Sequence, residues 1–515
     1  MSGNRRASQA NATEERGAGK ARKFEFRHGF HIRIPRPFAH TSGSDKIIAT
    51  PLIATPPHRF TARLSSGIFL ILAAAAFRPA TATSDFLADL VRNDSAGLGA
   101  ALRVERSPYR GDGVRLDLLP IYLYEGEHFY LHSNRLGLKL NLDPRRRVDV
   151  FVSRRLESFP VNQVPSSLAG MTTRTTESDI GFSYEQRFDW GNVFVEYLRD
   201  TSRTSGGTEV KLGYSRQENR GSLRLIPYVT LSARDAKLND YYYGVMPSEA
   251  AADRPAYGVG GGVNGTVGVN ARYELSTHWF LLAGVSATYW ASGVRNSPIV
   301  DLPGVQLAGF GGLGYEFEPS PPRRWEDGTP LFVKILYGRS STCNLLPIME
   351  FRCGTLATDE KTSIAAIDLG VPFFENPDSW SFVGYVGLLR HNERDLQPDF
   401  WQVNAYMKVF YWGFPWRNSV RTRVGFGAGL SYAQAVPFAE AQSQAERGRN
   451  TSKLMQYLDP TIDVSVGDLF GSKKLHETYF GLGVSHRSGI FGMAQLFDNV
   501  NGGSNYLYTY VEWKM

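Results

Sequence analysis

Apolar and polar residues alternate with a period of two along much of the chain, and this period is that of a β-strand with one buried and one exposed face. In VGVNARYEL, residues 267–275, every second residue is apolar, and the residues between are glycine, asparagine, arginine and glutamate. WFLLAGVSATYW, residues 279–290, and VRTRVGFGAGLSYA, residues 420–433, alternate in the same way. The pattern therefore predicts an all-β protein.

The glycine-rich polar faces favour a membrane barrel over a soluble sandwich. The strands of a sandwich also alternate, but their polar face looks at bulk water and has little use for so many glycines. Strands of about ten residues with short turns and aromatic ends are typical of a transmembrane antiparallel β-barrel, with the apolar face toward lipid. Arg421 and Arg423 share the lumen face of their strand, where they either pair with carboxylates or tune anion passage.

Two segments have the residue pattern that is typical of the terminal strand of an outer-membrane barrel. They are VQLAGFGGLGYEFE, residues 305–318, and the final YLYTYVEWKM. Prolines and charges in residues 319–329 indicate a linker between them. The sequence thus predicts two barrels in tandem, at 83–318 and 330–515; a single barrel of about twenty strands is the alternative. Trp279, Tyr289 and Trp290 are expected in the aromatic girdles at the membrane surfaces.

The basic charge of the chain lies in its first 82 residues. The 515 residues include 57 Lys and Arg and 50 Asp and Glu, of which 13 and 4 lie in residues 1–82. No nucleic-acid partner is expected, because the remainder is slightly acidic. RLSSGIFLILAAAAFRPATA, residues 63–82, has a basic flank, a short apolar stretch and the small residues of a cleavage site, which predicts export by a cleaved signal peptide. Residues 1–60 are either an extended leader or sequence upstream of the true start codon.

The chain contains two cysteines, Cys343 and Cys353. In an exported protein, a pair ten residues apart predicts a local disulfide, with two free thiols as the alternative. A metal site is not expected, because no histidine shares the segment, and no motif indicates a cofactor.

Several motifs of the first half resemble the MipA/OmpV family of outer-membrane proteins. They are YYYGVMPSEA (residues 241–250), AYGVGGG (256–262), LSTHWFLLAGVSATYW (275–290) and SPIV (297–300). The resemblance covers roughly residues 105–318 and brings no catalytic residues. It implies a Gram-negative outer-membrane barrel among lipids and lipopolysaccharide. The family's namesake is a scaffold between a lytic murein transglycosylase and a murein synthase, and other members have porin-like or adhesive behaviour. We therefore expect a scaffold for periplasmic murein enzymes, or a passive pore.

The segment GVSHRSGIFG, residues 483–492, suggests a second function. It resembles the His-x-Ser motif that PagL-type lipid A deacylases carry on their penultimate strand, followed by a carboxylate. Parity places His486 and Ser488 on the apolar, lipid-facing side at the outer rim, about 6–7 Å apart along the strand. Ser488 would attack an ester and His486 would take its proton. Asn505 stands where the carboxylate is expected, and Asp498 is a second candidate. Alternatively, both residues are polar groups at the membrane interface and the protein is not an enzyme.

Overall fold

The computed structural model describes residues 87, 90–92, 95–157, 159–160, 164–302, 304–317, 330–357, 361–376 and 379–515. The predicted leader, residues 1–82, and the predicted linker, residues 319–329, lie outside the described residues. Among the described residues, no helix combines the length and hydrophobicity needed to cross a bilayer.

Twelve antiparallel strands close the first barrel, in which β10 pairs with both β8 and β11, and β9 pairs only with the start of β10. The strands of this sheet, of which all but β9 belong to the ring, are β1 (Ser95–Arg106), β2 (Val114–Glu125), β3 (Phe129–His132), β4 (Arg135–Asp143), β5 (Arg146–Arg154), β6 (Ser178–Phe188), β7 (Gly191–Asp200), β8 (Thr208–Ser215), β9 (Glu218–Arg220), β10 (Leu223–Arg234), β11 (Gly262–Glu274), β12 (Trp279–Tyr289) and β13 (Val305–Glu316).

Eight further strands close a second barrel, in which the first strand pairs with the last. They are β14 (Phe332–Ser340), β15 (Ser363–Asn376), β16 (Trp380–Asn392), β17 (Phe400–Tyr411), β18 (Thr422–Ala433), β19 (Leu454–Ser465), β20 (Thr478–Ser488) and β21 (Asn505–Lys514). The predicted fold class, antiparallel barrels in tandem, is confirmed, and the alternative of one large barrel is wrong.

Loop lengths define the orientation of both barrels. In barrels of this kind the short turns face the periplasm and the long loops face outward. The long loops contain most of the helical segments. These are α1 (Ala236–Tyr243), α2 (Ser292–Arg295), α3 (Leu345–Met349) and α4 (Phe438–Glu446), with 3₁₀ turns at Ser166–Leu168, Pro247–Glu249, Ile490–Gly492 and Gln495–Phe497; α5 (Val466–Phe470) and the turn Lys473–Leu475 lie at the other end.

The alternation sorts residues between lipid and lumen. On β4, Leu136 and Leu138 point outward and are exposed on the barrel surface, whereas Arg135 and Lys139 point inward and are buried. The lumen-facing glycines make room for aromatic rings on neighbouring strands: a Cβ atom at Gly213 would overlap the ring of Phe194. This contact explains why the polar faces are rich in glycine.

Charged side chains fill the interior of the second barrel. Lys334 lies 2.8 Å from Asp368 and 3.1 Å from Asp459, which also binds Lys408 at 2.6 Å. Arg423 joins Asp463 at 2.8 Å and Glu512 at 2.7 Å, as expected for an arginine that pairs with carboxylates inside a small barrel. Buried tyrosines occupy the remaining space. They are Tyr385, Tyr406, Tyr457, Tyr506, Tyr508 and Tyr510.

The outer mouth of the first barrel is covered by its own loops. These loops form an apolar lid over the lumen. The lid residues are Tyr109, Phe159, Leu168, Leu238, Tyr242, Tyr243, Val245, Val259, Trp290, Val294, Ile299 and Val300. Trp279 and Tyr289 are exposed on the outer face as expected, but the girdle position predicted for Trp290 is wrong. Trp290 is buried in the lid, where its indole N–H donates to Gln306 at 2.9 Å.

A short segment ahead of β1 occupies the periplasmic mouth of the same barrel. Leu87, Leu90 and Val91 are buried against Phe280 and Leu282, whose side chains point into the lumen. The buried guanidinium of Arg272 donates to the Leu90 carbonyl at 2.9 Å. The first barrel is therefore occupied at both ends.

Replacing Asp459 by Asn is expected to destabilise the second barrel, because two buried ammonium groups lose a shared counter-charge. Loss of one partner of a buried ion pair typically costs about 3–5 kcal/mol. The melting temperature in detergent, followed by the gel shift of the unfolded form, measures the effect. Asp301→Asn is the control, since its ion pair with Arg106 is exposed and 3.6 Å long, and such a pair is worth about 0–1 kcal/mol. Equal melting temperatures for both variants would contradict the expectation.

Candidate functional site

His486 and Ser488 lie at the outer end of β20, on its lipid-facing side. Their neighbours Ser485 and Arg487 point inward and are buried. Arg487 donates to Glu440 of α4 at 2.9 Å and to the Ser431 hydroxyl at 3.0 Å. These inward contacts fix the strand that presents the predicted pair, and no pattern in the sequence indicated Glu440 as a partner.

Asn505 is the hydrogen-bond partner of His486. The two residues are directly opposite on β20 and β21, and Nδ1 of His486 lies 2.7 Å from Oδ1 of Asn505. The Asn505 amide nitrogen donates to the Cys343 carbonyl at 2.9 Å, which turns its oxygen toward the imidazole. The imidazole then carries its proton on Nδ1, and Nε2 is left as an acceptor.

Ser488 lies beside the imidazole without a bond to it. Its hydroxyl accepts from the Ile490 N–H at 3.1 Å, and no hydrogen bond between Ser488 and His486 is present in the described part of the chain. Asp498, the second candidate for the third group, faces away from His486. Its carboxylate binds Arg154, the Thr176 N–H at 2.9 Å and the Ser452 hydroxyl at 2.7 Å.

The loop between β14 and β15 packs on β20 next to His486. Cys343 and Cys353 are joined by a disulfide with their Cα atoms 6.0 Å apart. Cys343 and Ile348 pack on Val484 of β20, so the loop covers the outer face of the strand just below His486. Leu346 and Phe351 of this loop are exposed, Phe351 at 83%. The His486 side chain is thereby half-buried between protein and an apolar rim.

A second candidate site is a polar chamber of about 390 Å³ in the lumen of the first barrel. One side carries ion pairs, including Arg135 with Glu196 at 2.8 Å and Arg155 with Asp179 at 2.8 Å. The other side presents hydroxyl and amide groups. Its residues include Tyr228, Thr230, Ser232, Asn264, Thr266, Asn270 and Thr288. In the described ranges, no cluster of three or more His, Cys, Asp or Glu side chains is arranged to hold a metal ion.

The motif YYYGVMPSEA forms the part of the lid above this chamber. Tyr109 donates to the Tyr242 carbonyl at 2.9 Å, and both rings are buried. Glu249 accepts from Arg174 at 2.6 Å and from the Thr172 N–H at 2.9 Å, which ties two outer loops together. Burial alone would raise the pKa of Glu249, but the hydrogen bonds from Arg174, Thr172 and the Met246 N–H outweigh it and lower the pKa to about 2.

Lipid-facing apolar bands, lumens lined by polar and charged groups, and long outer loops place this chain among the outer-membrane β-barrel proteins. Residues 98–317, the first barrel, match the family described as MltA-interacting protein MipA. The first barrel is therefore similar to the MipA/OmpV family of outer-membrane proteins, as its motifs indicated.

Three relatives illustrate the similarity. The putative outer membrane protein YiaT of Escherichia coli K12 is 26% identical over 206 residues, which cover 40% of this chain and 84% of YiaT. The outer membrane protein OmpV of Vibrio cholerae is 28% identical over 144 residues, 28% of this chain and 56% of OmpV. The MltA-interacting protein of Escherichia coli K12 is 22% identical over 222 residues, 43% of this chain and 89% of that protein.

The lid is expected to hold at mildly acidic pH and to loosen only in strong acid. The pKa of Glu249 is lower in the folded protein than in the unfolded chain, so its stabilising effect is complete above about pH 4.5 and is lost as the pH falls toward about 2. Glu249→Gln removes the charge at every pH and should open the lid to proteases already at pH 7. Proteolysis of the outer loops measures this, with exposed Glu350→Gln as the control. Equal cleavage of the Glu249 variant and the unchanged protein would contradict the assignment.

Proposed function

We propose that this protein is an outer-membrane scaffold that holds murein-processing enzymes at the membrane, and that it is not an open pore. The main support for this proposal is that protein side chains occupy the lumens of both barrels. The second barrel is packed with ion pairs and tyrosines, and the first has a lid at its outer mouth and Leu87, Leu90 and Val91 at its periplasmic mouth. A relative that matches the first barrel over most of its length is named for interacting with MltA, which supports a murein-enzyme partner.

The partner would bind the periplasmic turns of the first barrel. The turns before β5 and before β7 lie side by side there and are joined by an exposed ion pair, Arg145 to Asp189 at 3.0 Å. Trp190 is half-exposed beside it and stacks between Phe188 and Tyr214. An exposed aromatic ring with adjacent charges is the composition that protein interfaces favour.

Passive passage of solutes is a second candidate, and the polar chamber of the first barrel supports it. Eight-stranded barrels fill with side chains, whereas larger ones leave room. Passage would therefore use the first barrel only, and Leu87, Leu90 and Val91 would have to leave the periplasmic mouth. Conduction by the resting protein is not expected.

Retention of a lytic murein transglycosylase on the purified full-length protein tests the scaffold. We expect retention by the unchanged protein and loss of retention by the double variant Arg145→Ala/Trp190→Ala. The matched control is Leu346→Ala/Phe351→Ala, which removes exposed side chains at the outer end. Failure of the unchanged protein to retain the enzyme, together with steady conductance steps in planar bilayers, would favour passage instead. If export follows the proposed signal peptide, the intact mass of the mature protein should correspond to a chain whose first residue is Thr83.

An alternative function, ester hydrolysis of lipid A, is supported by the hydrogen bond between His486 and Asn505. In this reaction Ser488 Oγ attacks the ester carbonyl, and Nε2 of His486 takes the hydroxyl proton and returns it to the leaving alkoxide. Water then attacks the acyl-serine with the same base and releases a fatty acid. The half-buried imidazole at the lipid-facing rim is where an acyl chain of lipopolysaccharide in the outer leaflet could approach. The Ser488 side chain must first rotate toward Nε2.

Mass spectrometry of lipid A from cells that express the protein tests this alternative. Loss of an acyl chain with the unchanged protein, and its retention with Ser488→Ala, would establish hydrolysis. Asn505→Ala should then lower the rate about 10²–10⁴-fold, as expected when a general base loses its orienting group, and Asn505→Asp should restore it in part. Ser485→Ala is the matched control, because that hydroxyl faces the lumen of the same strand. Identical spectra for all forms would rule hydrolysis out under these conditions.

A further inference from the structure

The wall of the first barrel has an opening along one edge of β2. β2 pairs with β1 over its full length, but only Leu123–Glu125 pair with β3. Tyr122 continues this edge through bonds with Ser133, and among the described residues no strand pairs with residues 114–121 on that side. Pro120 has the same parity as Tyr122, so its missing N–H falls on the unpaired edge, where proline is tolerated.

A loop of the second barrel occupies this opening. We call residues 489–501, which follow β20, the wall loop. The Leu118 N–H of β2 donates to the Met493 carbonyl at 2.8 Å, and the Gln495 N–H donates to Asp117 at 2.6 Å. From the opposite side of the gap, Arg154 at the end of β5 donates to the Leu496 carbonyl at 3.2 Å. The wall loop thus bridges the two edges of the opening.

Charge and apolar burial hold the wall loop in place. Asp498 receives Arg154 and the Thr176 N–H from the first barrel and Ser452 from the second. Leu496, Phe497 and Val500 are buried in one cluster with Leu119 of β2 and Met455 of β19. Contacts from both barrels therefore converge on one short segment.

The backbone of the wall loop is strained. Ile490, Phe491, Asp498 and Asn499 have φ between 52° and 56°, in the left-handed region that non-glycine residues avoid. For the β-branched Ile490 this conformation is especially unfavourable. Residues in this region cluster at ligand-binding and switch segments, where the surrounding structure holds them in place.

The wall loop separates two polar cavities. The chamber of about 390 Å³ lies inside the first barrel, and a cleft of about 620 Å³ lies between the outer loops of both barrels. Arg103, Glu105, Arg115 and Gln495 line both cavities. Gln495 accepts a hydrogen bond from Arg103 at this boundary.

We propose that the wall loop is a lateral gate through which small neutral polyhydroxyl solutes, of the size of a monosaccharide, enter the chamber from the outer cleft. The lid and the side chains of Leu87, Leu90 and Val91 occupy the ends of the barrel, which leaves the side as the remaining route. Each charged side chain lining the chamber lies in an ion pair, so the wall offers hydrogen bonds without an unpaired charge for an ion. The chamber volume is at the lower end of small-molecule sites, about 300–1,000 Å³. This inference does not depend on the proposed scaffold function or on the alternative hydrolase function.

Labelling of a cysteine inside the chamber tests the gate in the full-length protein. Thr230→Cys places a thiol on the chamber wall, and the rate of its reaction with a hydrophilic maleimide reports access. Gln495→Ala should raise this rate about tenfold, the effect of losing one or two buried hydrogen bonds on an opening equilibrium. An engineered disulfide, Leu118→Cys/Met493→Cys, should lower it about tenfold by tying the wall loop to β2, whose main-chain atoms it already contacts.

The controls separate gating from unfolding. Met246→Cys, exposed on the outer loops, should react at one rate in all backgrounds, and Leu118→Cys alone should leave the chamber rate unchanged. Equal labelling rates of Thr230→Cys in the locked, unchanged and Gln495→Ala forms would overturn the gate.

A competition experiment tests the solute. Excess glucose should protect Thr230→Cys from the maleimide, and excess gluconate should not. Protection by gluconate alone, or by neither, would overturn the assignment of the solute.

Discussion

The structure depends on one requirement of the bilayer: a main-chain N–H or C=O in the hydrocarbon layer must be hydrogen-bonded within the protein. The second barrel meets it by itself, because β14 and β21 pair from Phe332 to Ser340. The first barrel closes its ring, but among the residues that the structure describes no strand pairs with residues 114–121 of β2 on one side. Outward-facing Leu118 and Tyr122 are nevertheless sheltered, since the second barrel covers this edge. In this chain the second barrel thus completes the wall of the first barrel along the open edge of β2.

The interiors of the two barrels have different roles. Buried pairs such as Arg423 with Asp463 make the second barrel a solid support, and Arg487 extends this support to the strand that carries His486. In the first barrel, ion pairs line one side only and leave a polar chamber beside them. The solid barrel can thus position groups on its outer surface, whereas the hollow one can accept a solute inside.

The alternation of apolar and polar residues was sufficient to predict which side chains face lipid and which face the lumen. The fold class, the outward direction of His486 and the inward direction of Arg423 follow from strand parity, which a barrel enforces along its whole wall. The pairing of His486 with Asn505 was also within reach, because adjacent antiparallel strands bring such residues opposite each other. Parity could not show that Cys343 orients Asn505, because the two are 162 residues apart. It also misplaced Trp290, which follows β12 and turns into the lid. Such contacts depend on loop paths, for which the chain has no repeating pattern.

The wall loop also bears on the order of assembly. Gln495 binds Asp117 across 378 residues of sequence, so the wall of the first barrel includes a part made near the end of synthesis. Contacts between such distant residues form slowly, because a long loop must close first. The N-terminal barrel would wait in the periplasm or at the membrane with an exposed β2 edge until the C-terminal barrel arrives. During this interval the edge is a template for pairing with other chains, a hazard that every unpaired strand edge carries.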